Sequence, residues 1–162
     1  MIFLIPARAG SKRLPGKNKR LFCGLPLWMW SWATAKRIMG PHDQCLVSSD
    51  DKEIYEPSGG MPRAAKWCTD EATMHPMIDM LLGVGPVCLL QPTSPTRSDS
   101  LVRMMIARGD SCRSVTDGVP NGQCWVFRDG MQQVDVETNK GHDIDTLEQF
   151  NAAEQDMLRK FQ

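Results

Sequence analysis

"MIFLIPARAGSKRLPGKNKR", residues 1–20, decides the fold: five apolar residues and a proline run into a glycine-bearing turn crowded with cations. Apolar runs this short read as buried strands, not helices. "CLVS" (45–48) and "VCLL" (87–90) repeat the pattern, and each run ends in polar or proline-rich sequence. Strands buried on both faces and separated by helical patterns imply a mostly parallel sheet.

The connecting segments support that reading. In "PLWMWSWATAKRIMG", Trp28, Trp32, Ala35 and Met39 fall on one helical face before Gly40 ends the helix. A second helix is expected from Asp99, as N-cap, to a stop at Gly109. "EPSGGMPR" (56–63) reads as a loop that breaks any helix begun by "DDKEIYE". "CWVF" (124–127) and "VDVE" (134–137) flank "RDGMQQ" as a hairpin. Thr146 and Gln149 form a capping box for a last helix striped by Phe150, Ala153, Met157 and Phe161. An α/β sheet of this kind binds ligands at the carboxyl ends of its strands.

From Gly10, "GSKRLPGKN" approximates a Walker A loop but breaks the pattern twice. Five residues separate Gly10 from Gly16 where four are needed, and Asn18 stands where a hydroxyl would reach magnesium. Residues 8–20 carry six cations (Arg8, Lys12, Arg13, Lys17, Lys19, Arg20) and no acid. Two readings of that run stay open. It is a solvated basic loop, or a cradle in which backbone N–H groups, Arg8, Lys12 and Lys17 meet phosphate oxygens.

Composition bounds the rest. A chain of 162 residues with 41% hydrophobic and 23% charged residues suits one soluble domain, 1–162. Net charge is zero, with eight acids against three Lys or Arg from Asp129 onward, an imbalance that disfavours nucleic acid as partner. "MIFLI" stops at Pro6, too short for a signal peptide, and no run reaches membrane-spanning length. Six cysteines without a CxxC pair read as small buried hydrophobes in a reducing, cytoplasmic setting.

"IPARAGSKRLPGKN", "LLQPTSPTR" (89–97) and "DIDT" (143–146), in that order, resemble the signature of the cytidylyltransferases that activate N-acetylneuraminate and related nonulosonic acids. "SSDD" (48–51) and "NGQCWVF" (121–127) are weaker matches. The resemblance implies a Rossmann-like, three-layer nucleotidyltransferase fold. It also implies a reaction in which a sugar acid attacks the α-phosphorus of CTP, giving a CMP-sugar and pyrophosphate.

By that resemblance Arg8, Ser11, Lys12 and Lys17 line the triphosphate, Asn18 holds their loop, and Arg63 with Asp70 helps hold the nucleotide. Gln91 contacts the sugar, while Thr93, Ser94 and Arg97 shape its loop or offer donors. Asp143 and Asp145 bind Mg2+; alternate residues of an extended segment share a face, so both carboxylates can reach one ion. Arg8, Lys12, Lys17 and Asp145 carry catalysis. Read alone, "DID" before a helix is N-terminal capping.

The chain is much shorter than the family pattern, and the missing material, a dimerising insertion, falls between 116 and 121. A homodimer is compatible with the resemblance but lacks that insertion. Two other readings remain: a CTP-binding module without catalysis or in need of a partner, and a cytidylyltransferase for a 3-deoxy eight-carbon sugar acid.

Overall fold

A computed structural model describes residues 1–69 and 72–160. Strand β1 (Ile2–Pro6) lies at the centre and pairs in parallel with β4 (Gln44–Ser49) on one side and β6 (Val87–Leu89) on the other. The short β5 (Met61–Pro62) extends the sheet beyond β4, again in parallel. Beyond β6 come β8 (Val119–Phe127), β7 (Ser111–Thr116) and β9 (Gln133–Glu137), giving the order β5-β4-β1-β6-β8-β7-β9. A separate pair, β2 (Leu21–Phe22) and β3 (Leu25–Pro26), leads into helix α1 (Leu27–Ile38).

Period-two burial makes three layers. Phe3 and Ile5 face α1, α2 (Lys52–Ser58) and α4 (Asp99–Ala107), meeting Trp28, Ala35, Ile54, Val102 and Met105. Ile2 and Leu4 face the other way, onto Met77, Ile78 and Leu81 of α3 (His75–Leu82). All three predicted strands are present, and their apolar continuity reflects burial on both faces. The fold is α/β with a mostly parallel sheet, as expected. Among the described residues no helix is long and apolar enough to cross a membrane.

Several local expectations are corrected. The predicted hairpin between 124–127 and 134–137 does not form: β8 is already bonded to β6 and β7 on its two edges, so β9 crosses over to pair in parallel with β7. The hairpin lies one strand earlier. Asp117 (φ 53°) and Gly118 (φ 72°) make a two-residue turn, with Thr116 opposite Val119, the type I′ geometry that an Asp-Gly pair favours.

The N-cap of α4 is Ser98, whose side chain accepts from the Leu101 N–H, leaving Asp99 in the first turn where its charge suits the helix dipole. The segment 56–63 is no loop throughout, since α2 runs through Pro57 to Ser58 and Met61–Pro62 pairs with β4. Helix α3 had no expected counterpart. The last helix, α5 (Leu147–Arg159), has its capping box, and Phe150 and Ala153 are buried; Phe161 lies outside the described residues.

Gly60 shows how tightly β5 is joined to the sheet: a Cβ there would stand 2.3 Å from the Val47 carbonyl oxygen. Gly60→Ala is expected to cost roughly 1–3 kcal/mol, the range for overpacking against an unyielding neighbour, read as a lower urea midpoint with an unchanged slope.

Candidate functional site

The cation turn leaves β1 at its carboxyl end and folds back through a short 3-10 turn at Lys17–Lys19. Gly16 takes a left-handed conformation (φ 65°) there, and Leu14 sinks into a third apolar cluster with Phe22, Leu27, Ile144 and Phe150. Core packing of Leu14 and burial of Lys17 and Asn18 anchor the turn, while Lys12, Arg13, Lys19 and Arg20 stay exposed. Asn18 Nδ2 donates to the Arg8 carbonyl at 2.8 Å, and the Ala9 N–H donates to Asp50 Oδ1 at 2.7 Å.

These contacts frame a cleft of about 420 Å³. Arg8, Ser11, Lys12, Lys17, Asn18, Gln91 and Asp145 all line it, so the structure brings together most of the predicted site. Arg63 belongs to an adjoining cavity of about 240 Å³ that shares Pro6, Arg8 and Gln91 with the cleft. It is buried: its Nε donates to Ser48 Oγ at 3.2 Å, and burial pulls its guanidinium below the usual range. Asp70 lies outside the described residues. Asp143 is exposed and is not among the residues lining the cleft.

Lys17 ties the halves of the cleft together. Its ammonium is nearly enclosed, donating to the Ile144 carbonyl at 2.7 Å and to Asp145 Oδ1 at 2.9 Å. The Ile144 N–H in turn donates to the Thr93 carbonyl at 2.8 Å, and its side chain is fully buried. One residue, Ile144, therefore links the cation turn, the Gln91–Thr93 loop and the acidic segment. Arg13 completes the arrangement, placing Nη2 2.8 Å from Asp145 Oδ2.

Gln91 is held from behind. Its carbonyl accepts from Ser31 Oγ at 3.2 Å and from Arg97 Nη2, and Arg97 Nη1 donates to Ser31 Oγ at 2.6 Å. Arg97 is enclosed, and burial brings its guanidinium down to about 10. It therefore stays charged at neutral pH and shapes the loop from beneath. Ser94 is likewise fully buried.

Sequence reasoning missed Arg13 as a specific partner, Asp50 as the clamp on the turn, and Ser31. A signal for Ser31 existed: it falls three residues after Trp28 on the buried face of α1, where a polar side chain needs an internal partner.

By fold the chain is a nucleotidyltransferase-type α/β protein. It superposes on a CMP:2-keto-3-deoxy-manno-octonic acid synthetase complexed with CTP (TM-score 0.75, 16% identity, 98% of each chain). It also superposes on a cytidylyltransferase from Leptospira borgpetersenii (TM-score 0.70, 15% identity, 98% of this chain and 87% of that one).

Within that class its sequence is similar, over part of its length, to sialic-acid-like CMP-sugar synthetases. Residues 2–57 match the family described as cytidylyltransferase. Over 117 residues, 64% of this chain and 50% of the relative, it is 37% identical to the CMP-N,N'-diacetyllegionaminic acid synthase of Legionella pneumophila. Over 53 residues, 33% of this chain and 22% of the relative, it is 49% identical to a pseudaminic acid cytidylyltransferase of Campylobacter jejuni. The chain thus spans half or less of the length of these curated relatives.

Arg97→Lys replaces a two-pronged donor with one ammonium that cannot reach both Ser31 and Gln91. The expected loss is about 1–3 kcal/mol, the scale of a charge-assisted hydrogen bond left unmade, measured by urea unfolding at neutral pH.

Proposed function

We propose that the chain binds CTP and transfers CMP to a nonulosonic, sialic-acid-like sugar acid, releasing pyrophosphate. The observation that carries this reading is the convergence of Arg8, Lys12 and Lys17 with Gln91 and Asp145 around one cleft at the carboxyl end of β1. The triphosphate takes the cationic cleft, and the cytosine enters the adjoining cavity, whose walls include Arg63, Trp67, Met74 and Leu89. Gln91, common to both, faces the sugar.

In the reaction the acceptor hydroxyl oxygen bonds to the α-phosphorus, the bond from that phosphorus to the bridging oxygen breaks, and the hydroxyl proton leaves to solvent. Negative charge grows on departing pyrophosphate, where Arg8, Lys12 and Lys17 oppose it. Cations fixed before the reaction need no reorganisation during it, and so contribute most of the rate gain. Asn18 keeps the turn in that shape through the Arg8 carbonyl.

The donor set fits Mg2+. Asp145 lines the cleft and would offer the ion hard carboxylate oxygens, while Asp143, on the other side of the buried Ile144, stands outside the cleft lining. Among the described residues no cluster of three or more His, Cys, Asp or Glu gathers; the ion here would complete its shell with water and phosphate oxygens, as Mg2+ commonly does. Bound there, it would neutralise phosphate charge. The cytoplasm, where thiols stay reduced, is the proposed setting. On this reading the two-residue turn at Asp117–Gly118 replaces the dimerising insertion that the resemblance implies.

The 117-residue match to a diacetyllegionaminic acid synthase favours a nine-carbon acceptor over an eight-carbon one, since the match to the 3-deoxy-manno-octulosonate cytidylyltransferase of Pseudomonas fluorescens covers 57 residues. Calorimetric titration with CTP, UTP, ATP and GTP, with and without Mg2+, tests the nucleotide half. Selective, Mg2+-strengthened CTP binding is expected, followed by pyrophosphate release with nonulosonic acids. Asp145→Asn should retain part of the CTP affinity and lose turnover; retained turnover in that variant would remove Asp145 from the metal site.

A further inference from the structure

Both oxygens of Asp145 are occupied by cations of the same cleft: Oδ1 by Lys17 at 2.9 Å and Oδ2 by Arg13 at 2.8 Å. We infer that Asp145 is a counter-ion switch, held by Lys17 and Arg13 until a triphosphate takes the Arg13 guanidinium and frees a carboxylate oxygen for a divalent ion. The inference rests on the CTP reading above and deepens it, because it assigns Arg13 a role and predicts how metal and nucleotide depend on each other.

The two cations are not equivalent. The Lys17 side chain is 10% exposed and is also bound to the Ile144 carbonyl, so it stays in place. The Arg13 side chain is 69% exposed and reaches Asp145 from the cleft wall, so it is the arm free to move. Asp145 itself, at 27% exposed, is accessible to both an ion and a phosphate.

Two consequences follow from charge alone. A divalent ion arriving first must displace a guanidinium from Oδ2, which weakens its binding. A triphosphate arriving without the ion draws the Arg13 guanidinium away and leaves that oxygen of Asp145 facing phosphate oxygens, which weakens binding in turn. Together each removes the other's obstacle, so the two ligands bind with positive coupling, equal in both directions. Arg13 sets a large part of that coupling. As an exposed ion pair it contributes little to folding, and Arg13→Gln should fold as the parent does.

The test uses Mn2+ as the divalent probe, titrated by electron paramagnetic resonance into the nucleotide-free parent, Arg13→Gln, Arg13→Lys and Asp145→Asn. Arg13→Gln should bind Mn2+ roughly threefold tighter than the parent, a factor within the range of one exposed ion pair. Arg13→Lys should restore most of the restraint, and Asp145→Asn should lose the site. In calorimetry, the factor by which Mn2+ strengthens CTP binding should shrink in Arg13→Gln by the same ratio.

Unchanged or weaker Mn2+ binding in Arg13→Gln would overturn the switch, as would Mn2+ binding that ignores Asp145→Asn. Failure of CTP to bind any of the proteins would instead sink the CTP reading, and with it the exchange. The nucleotide-free arm would then still decide whether Arg13 restrains Asp145.

Discussion

The Lys17 ammonium, 2.7 Å from the carbonyl of Ile144, joins two points separated by 127 residues of chain. A charge-assisted bond in an enclosed place is among the stronger polar contacts a protein makes, and leaving either group unpaired there would be costly. Ile144 passes that constraint on. Its N–H binds the Thr93 carbonyl, and its side chain fills the cluster formed by Leu14, Phe22, Leu27 and Phe150. The three segments that line the cleft are held together at this residue.

The sheet explains why these segments meet. Strand β1 alternates its side chains into both flanking layers, so its position is over-determined and its carboxyl end is a fixed platform. The connections from β1 and β6 both emerge at that end, one as the cation turn and the other as the Gln91 loop. The acidic segment joins them through the bonds of Ile144 to Lys17 and Thr93, with Phe150 and Ala153 of α5 packed into the same cluster as Leu14 of the turn. Packing positions the charges, and the charges then hold one another.

What was legible in the sequence follows the range of the interactions concerned. The strands at 1–5, 45–48 and 87–90, the capping box at Thr146 and the clustering of cations after β1 are local patterns, and each is present. The hairpin was misplaced because "DG" occurs twice nearby, at 117–118 and 129–130, and only pairing with β6 leaves β8 without an edge for β9. Helix α3 escaped notice because its eight residues include Pro76 in the first turn and carry only a short apolar stripe. Seven predicted site residues share the cleft, whereas the partners that orient them, Arg13 on Asp145 and Ser31 with Arg97 behind Gln91, are tertiary contacts, of which spacing marks only the burial of Ser31.

The central claim is that Lys17 holds the Ile144 peptide in place and thereby assembles the cleft. Amide hydrogen exchange at Ile144, followed by NMR in the parent and in Lys17→Met without ligands, tests it most directly. The account predicts a slowly exchanging Ile144 amide in the parent and protection that collapses in Lys17→Met while amides of β1 and β4 keep theirs. Equal protection at Ile144 in both proteins would show that the acidic segment is held by α5 packing alone, and would contradict the account.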